Sequence, residues 1–205
     1  MARKTIAVDL DDVLSGLAKG FTEFSNKKWG TKLKPDDYSE HWAFVWGVDE
    51  EEAKRRGKII HANASSIISG LSHDPNAEDT LAQLAKKYKL VIVTSRRRVI
   101  QKDTIEWVKK YFKGIFEEIH FAGIWDDLEK PLEHRLKATK ADIVKQIGAD
   151  YLIDDQPKHC FAAAEAGITS LLFGDYRWNR NVKLPEGVVK VRTWHEVLEY
   201  FDGRK

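Results

Sequence analysis

The stretch TIAVDLDDV, residues 5–13, decides the fold of this 205-residue chain. Its first four residues are apolar or β-branched without polar alternation, a pattern typical of a strand buried on both faces of a parallel sheet. Carboxylates follow at once, at Asp9, Asp11 and Asp12. In open parallel sheets, ligands bind at the carboxyl ends of the strands. The stretch therefore predicts a buried strand with a functional site at its end.

Similar apolar runs recur along the chain, and helical patterns lie between them. Alternation of strand and helix indicates βαβ units around a parallel sheet with helices on both faces. We therefore predict an α/β fold with a Rossmann-like, three-layer parallel sheet. The predicted strands cover residues 5–9, 90–94, 119–122, 151–154 and 170–173, and residues 188–191 are predicted to add an edge strand.

Three helix starts can be predicted from capping residues. Asn76 is a candidate N-cap for an apolar stripe that begins at Ala77. Thr139 with Asp142, and Thr193 with Glu196, have the spacing of a capping box.

One interval departs from the alternation of strands and helices. Residues 15–74 are aromatic and charged, lack a Gly/Ser linker, and exceed the dozen or so residues that a crossover needs. We predict that residues 15–74 form a helical cap lobe inserted after the first strand. Residues 1–14 and 75–205 would then form the core domain.

Composition excludes several classes of partner and location. The formal net charge is +2, which predicts neither a nucleic-acid surface nor an anionic-membrane surface. Cys160 is the single cysteine, so no internal disulfide can form and a reducing compartment is expected. The chain lacks an apolar run of about 18 residues and a signal-peptide apolar region. We expect a cytoplasmic protein, and a two-fold dimer if the chain associates with itself.

Acidic residues follow two of the predicted strands, as Asp9 and Asp11 after the first and Asp154 and Asp155 at the fourth. Two like charges about 4 Å apart at an effective dielectric near 20 repel by about 4 kcal/mol. Protons or a cation must relieve this repulsion. Oxygen ligands alone favour a hard ion, so Mg²⁺ is the predicted cofactor.

Aspartate, threonine, lysine and Mg²⁺ together indicate phosphoryl transfer. A carboxylate can attack phosphorus, and a second carboxylate can donate a proton to the leaving oxygen. The Thr94 hydroxyl can donate to a phosphoryl oxygen, and a lysine can complete the charge clamp. Lys140 is the candidate at a predicted helix start, with Lys137 as the alternative.

These residues resemble the four ordered motifs of the haloacid dehalogenase-like phosphatases: Asp9-Leu10-Asp11-Asp12-Val13, Thr94, Lys140, and Asp154-Asp155. Thr94-Ser95 and the segment Arg177-Trp178-Asn179-Arg180 are similar to the 5′(3′)-deoxyribonucleotidase branch. Asp12 departs from the glycine that is common after the second aspartate.

The resemblance implies roles for each motif residue. Asp9 would be the nucleophile and Asp11 the general acid and base, while Thr94 and Lys140 would hold the phosphate. Mg²⁺ would be bound by the Asp9 carboxylate, the Asp11 backbone carbonyl and Asp155. Asp154 would contact the ion through a water molecule, or would support one of the residues that bind it directly.

The resemblance also implies a nucleoside or deoxynucleoside monophosphate as substrate. A nucleobase needs flat apolar walls, which Trp42, Phe44 or Trp46 of the cap can supply, although for each ring a place in the cap core is the alternative. Ser95 and Arg96 are further candidate substrate contacts. The histidines lack metal-ligand spacing, so His41, His61 and His134 are predicted to lie at the surface or in the cap.

Three other functions remain open at this point. The same chemistry can act on another small phosphate ester, such as a sugar phosphate. A phosphoacceptor signalling domain uses similar residues but needs its phosphorylated aspartate on a middle strand before the threonine. A non-catalytic nucleotide binder would not need both Asp9 and Asp11.

Overall fold

The computed structural model describes residues 2–123 and 139–203. Within them, six parallel strands form one sheet in the order β3-β2-β1-β4-β5-β6. The predicted strands are confirmed, with ends that shift by one residue at most. They are β1 (Thr5–Val8), β2 (Lys89–Thr94), β3 (Glu118–Phe121), β4 (Tyr151–Asp154), β5 (Thr169–Phe173) and β6 (Val188–Val191).

Strand β1 lies in the interior of the sheet, between β2 and β4. Val8 is in register with Ile92 of β2 and with Ile153 of β4. All four residues of β1 are buried, as the uninterrupted apolar run predicts. Because the three strands are parallel and in register, their carboxyl ends meet at one edge.

Helices cover both faces of the sheet, which confirms the three-layer fold. One apolar core joins alternate strand residues to α5, α6 and α9, and a second joins the intervening residues to α7 and α8. These helices are α5 (Pro75–Leu84), α6 (Gln101–Tyr111), α7 (Lys140–Gln146), α8 (Pro157–Glu165) and α9 (Trp194–Phe201).

The interval between β1 and β2 is helical, as predicted. It contains α1 (Leu17–Trp29), α2 (Trp42–Trp46), α3 (Glu50–Ala62) and α4 (Ala64–Ser69). These helices have an apolar core of their own, which includes Phe21, Trp46 and Ile60. Below we call residues 15–74 the cap; its boundaries remain a prediction.

Polar contacts join the cap to the sheet domain on two sides. Glu40 pairs with Lys158, and Asp36 pairs with Arg180. On the other side, the Ser65 hydroxyl donates to Asp103 of α6. The cap therefore rests over the edge at which β1, β2 and β4 end.

The N-terminal capping residues of three helices agree with prediction to different degrees. The Thr139–Asp142 capping box at α7 is confirmed. At α9 the Thr193 side chain accepts from the Glu196 amide, but the Glu196 carboxylate accepts from the Arg192 amide and not from Thr193. The prediction of Asn76 as an N-cap is wrong: Asp74 caps α5 and accepts from the Asn76 amide. Pro75 occupies the first helical position, which moves the cap to the residue before it.

Stability should depend on pH through His159 of α8. Burial lowers the pKa of His159 from 6.5 to about 4, although the Asp154 carboxylate partly opposes this shift. Between pH 4 and pH 6.5 the unfolded chain binds a proton at this histidine, whereas the folded chain does not. Acidification through this range therefore removes stability that is present above pH 6.5. We expect His159→Gln to reduce this loss by about 2 kcal/mol between pH 7 and pH 4. Urea unfolding at both pH values measures it.

A matched control is available on α9. His195→Gln makes the same chemical change at an exposed position and controls for the substitution itself. Equal slopes for wild type and His159→Gln would contradict the assignment.

Candidate active site

The structure brings together the acidic residues that end two neighbouring strands. Asp9 follows β1, and its amide donates to the Ile153 carbonyl of β4 at 2.8 Å. One carboxylate oxygen from each of Asp9, Asp154 and Asp155 lies within 4.8 Å of the other two, and all three residues are buried. This carboxylate cluster lies at the edge that the sequence predicts.

Lys140 binds two members of the cluster. Its Nζ lies 2.8 Å from Asp9 Oδ1 and 2.7 Å from Asp154 Oδ2, and the residue is 1 % exposed. The Thr139–Asp142 box starts α7 at this lysine, which fixes the direction of its side chain. Burial by itself lowers the pKa of Lys140, but Asp154 and Asp9 outweigh it and the net shift is upward. Lys140 is therefore a permanent cation here. The alternative, Lys137, lies outside the described residues, as does His134.

The cluster holds more negative charge than Lys140 compensates. Burial raises the pKa of Asp9 to about 7, with Lys140 opposing and the carboxylates of Asp154 and Asp11 adding to the rise. Burial and the carboxylates of Asp154 and Asp9 also raise the pKa of Asp155. Three buried carboxylates with one lysine, and with oxygen donors only, suit a hard divalent cation. The residues present therefore fit Mg²⁺.

The next residue in the chain and one later segment fix the position of Asp155. Its Oδ2 accepts from Trp178 Nε1 at 2.7 Å and from Gln156 Nε2 at 2.8 Å. Its backbone carbonyl accepts from Asn179 Nδ2 at 2.8 Å. From the sequence, Trp178 and Asn179 belong only to a resemblance and have no predicted role. The signal available in the sequence was an indole next to an amide side chain, shortly after the buried strand β5.

Asp11 is held by Arg96 in this structure. Arg96 Nη2 and Nε donate to Asp11 Oδ1 at 2.6 and 3.0 Å, and Nε also lies 3.1 Å from Oδ2. Arg96 is buried, and Nη2 also donates to Ser15 Oγ at 3.0 Å. The sequence predicts Arg96 as a substrate contact, whereas here its guanidinium binds the Asp11 side chain.

Asp12 shapes the turn that carries Asp9 and Asp11. Its φ is +57°, in the left-handed region that favours glycine, which explains why glycine suits this position. Both of its carboxylate oxygens accept from the Ala18 amide, and its carbonyl accepts from the Tyr176 hydroxyl at 2.6 Å. Burial raises the pKa of Asp12 to about 8. These hydrogen bonds hold the turn against the start of α1.

The loop after β2 carries the predicted phosphate contacts. Thr94 is buried at the end of β2, and its hydroxyl accepts from the Arg96 amide at 3.2 Å. The neighbouring Ser95 hydroxyl is buried and has no hydrogen-bond partner among the described residues. Ser95 can therefore donate to a ligand without breaking an internal bond.

The three cap aromatics have different environments. Trp46 is buried in the cap core, stacks on Phe21 and donates to Ser25 Oγ, as its alternative reading predicts. Phe44 is 74 % exposed. Trp42 is partly buried and packs closely against Gly57 of α3, where a side chain would crowd its ring. Contact between any of these rings and a substrate remains a prediction.

Sequence reasoning missed a fourth cap aromatic, Tyr38. Its ring lies 6.1 Å from that of Trp178 and meets it edge to face, and Trp178 in turn stacks on Tyr176 at 4.7 Å. Burial and the nearby carboxylates of Asp12 and Asp11 raise the pKa of Tyr38. Tyr38 thus faces the acidic edge from the cap side.

Comparison with known proteins identifies the family. Residues 3–202 match the family described as 5′ nucleotidase, deoxy (pyrimidine), cytosolic type C protein. The chain belongs to this family. It is 25 % identical over 160 residues to a 5′(3′)-deoxyribonucleotidase of Clostridium acetobutylicum, an alignment that covers 77 % of this chain and 76 % of that protein.

Solved structures show the same fold at low sequence identity. A haloacid dehalogenase-like hydrolase of Streptococcus pneumoniae matches with a TM-score of 0.70 and 17 % identity, over 97 % of this chain and 98 % of that one. The hydrolase YfnB of Bacillus subtilis, crystallised with magnesium, matches with a TM-score of 0.63 and 14 % identity, over 98 % and 100 % of the two chains. Family and fold together confirm a haloacid dehalogenase-like phosphomonoesterase of the nucleotidase branch.

The sheet order excludes the receiver-domain alternative. A phosphoacceptor domain of that kind needs a strand between the first acidic turn and Thr94 in the sequence. In residues 10–88, all of which the structure describes, the chain forms helices and turns but no such strand. Separately, each helix in the described ranges is too short or too polar to span a bilayer.

Proposed function

We propose that this enzyme hydrolyses nucleoside or deoxynucleoside monophosphates with Mg²⁺ through an aspartyl-phosphate on Asp9. The observation that carries the proposal is the carboxylate cluster with Lys140 at the ends of β1 and β4. The nucleotidase family supports the substrate class, and the name of the Clostridium relative supports a phosphate at the 5′ or 3′ position.

Asp9 is the nucleophile in this proposal. Lys140 binds Asp9 Oδ1, which leaves the other carboxylate oxygen to attack phosphorus. The P–O bond to the nucleoside breaks as the bond to Asp9 forms, and a proton must reach the departing oxygen. Asp11 is two residues away on the same turn and supplies that proton, then removes one from the water that hydrolyses the acyl phosphate.

Asp9, Asp155 and the Asp11 backbone carbonyl would hold Mg²⁺, with Asp154 turned toward Lys140. When bound, the ion neutralises charge on the phosphoryl oxygens. Thr94, Ser95 and Lys140 bind the same phosphate, and Lys140 also keeps Asp154 in place. The resting contact between Arg96 and Asp11 must open before Asp11 can donate a proton, because both of its oxygens accept from the guanidinium.

A phosphate-release panel tests the proposal. The purified protein with Mg²⁺ should release phosphate from nucleoside and deoxynucleoside monophosphates faster than from sugar phosphates. Excess EDTA should stop release, and added Mg²⁺ should restore it. Turnover of sugar phosphates alone would remove the nucleotidase assignment, and full activity in excess EDTA would remove the metal.

A further inference from the structure

The loop after β2 carries a second unpartnered polar atom. Arg97 Nε is buried and has no hydrogen-bond partner, and no ion pair to Arg97 occurs among residues 2–123 and 139–203. Buried polar groups in folded proteins are nearly always hydrogen-bonded. The unpaired Nε of Arg97, next to the phosphate-binding loop, therefore indicates a place where a ligand supplies the missing acceptor.

Arg97 is half-buried, and its covered Nε lies on the side of the loop near the cap. Burial and the charge of Arg97 together lower the pKa of His61, at the end of α3, which places the guanidinium near that imidazole. His61 in turn lies against Trp42, with ring centroids 5.7 Å apart. Arg97 thus lies across from a wall of the cap formed by an imidazole and an indole.

The position of Arg97 suits the end of a substrate that is remote from the reacting phosphate. Arg97 is three positions after Thr94, so its Cα lies at most about 11 Å from the Cα of Thr94. A nucleoside bound at Asp9 and extending under the cap would therefore bring its base or ribose within reach of the Arg97 side chain.

We propose that Arg97 binds an anionic group on the part of the substrate that lies under the cap. This inference rests on the proposed function and deepens it. A neutral carbonyl would satisfy the hydrogen bond but would leave the guanidinium charge uncompensated, and arginine stays charged at all relevant pH values. A carboxylate or phosphate supplies both and pairs with the planar guanidinium through two bonds. The indole of Trp42 supplies the flat apolar surface beside it.

Two sources of such an anion can be separated by matched substrates. Adenosine 3′,5′-bisphosphate differs from adenosine 5′-monophosphate by one phosphate on the ribose. Orotidine 5′-monophosphate differs from uridine 5′-monophosphate by one carboxylate on the base. We expect kcat/KM to favour the anionic member of at least one pair by about 10-fold, within the range of a charged hydrogen bond. Chromatography of the products shows which phosphate was released.

Variants of Arg97 test the assignment. Arg97→Met should reduce that ratio to near one, through KM and not kcat, because the group does not touch the reacting atoms. Arg97→Lys should restore part of the preference. Lys102→Met removes the same charge from an exposed position of α6 and should leave the ratio as in wild type. Thermal unfolding shows whether each variant is folded. If Arg97→Met does not fold, the substrate preference of Arg97→Lys tests the assignment instead.

The outcomes separate the two proposals. Ratios near one in the wild type, or a preference that survives Arg97→Met, would overturn the role of Arg97 while monophosphate turnover still supported the nucleotidase assignment. Failure to release phosphate from every nucleotide in the panel would overturn the proposed function itself.

Discussion

Asp9→Asn is expected to reduce nucleotide hydrolysis by at least about 10⁴-fold, the scale seen when a covalent nucleophile is removed. A carboxamide cannot form an acyl phosphate, whereas its oxygen can still accept from Lys140 in place of Oδ1. Steady-state phosphate release measures the loss. Trapping of the wild-type enzyme with substrate, followed by peptide mass spectrometry, should place the phosphoryl group on Asp9.

This variant should remain folded, since it removes one of three buried carboxylates that repel one another. The upward shift in the pKa of Asp9 to about 7 shows that the folded protein disfavours its charge. We therefore expect a melting temperature at or above that of the wild type without Mg²⁺. Asp150→Asn is the matched control, because Asp150 bonds the Thr5 amide at the opposite edge of the sheet and should have no effect on turnover. Phosphate on any residue other than Asp9 would contradict the mechanism.

The strands could be predicted because continuous apolarity has one common cause. A strand covered by helices on both faces cannot alternate apolar and polar residues, and β1, β2 and β4 show this pattern directly. The edge at which their ends meet follows from parallel pairing. The sequence therefore predicts that Asp9, Asp154 and Lys140 lie close together, and Lys140 contacts both carboxylates.

Contacts between distant segments could not be predicted in the same way. Arg96 and Asp11 are 85 positions apart, and an arginine after a strand is more often solvated than buried against a carboxylate. Trp178 reaches Asp155 from a loop whose path depends on the packing around it. Periodicity reports which face of an element is buried, but it does not report which polar side chains meet at its end.

The burial of the aromatic residues in the cap could not be predicted from their spacing either. Trp42, Phe44 and Trp46 lie within five residues of one another, yet one is buried in the cap core, one is partly covered, and one is exposed. On the short helix α2, Trp42 and Trp46 are four residues apart and share one side, with ring centroids 5.5 Å apart, whereas Phe44 points away from them. How deeply each ring is buried depends on how α1 and α3 pack. Tyr38 had no signal in the sequence beyond being aromatic.

Asp11→Asn is expected to lower nucleotide turnover by about 10²–10⁴-fold, the usual contribution of a general acid and base. An amide cannot protonate the leaving ribose oxygen and cannot deprotonate the attacking water. Asparagine has the shape of aspartate, and its oxygen can still accept from Arg96, which in the wild type donates to Asp11 at 2.6 Å. Asp79→Asn, an exposed change on α5, is the control and should retain wild-type rates.

The leaving group distinguishes the two roles of Asp11. A p-nitrophenolate departs without a proton, so the first step on p-nitrophenyl phosphate should survive Asp11→Asn, whereas hydrolysis of the acyl phosphate still lacks its base. We expect a rapid burst of one p-nitrophenol per active site, then slow turnover, in stopped-flow absorbance. Asp9→Asn should show neither phase. If Asp11→Asn gave equal losses on both substrates and no burst, then Asp11 would not be the group that transfers the proton, and its bond to Arg96 would be structural only.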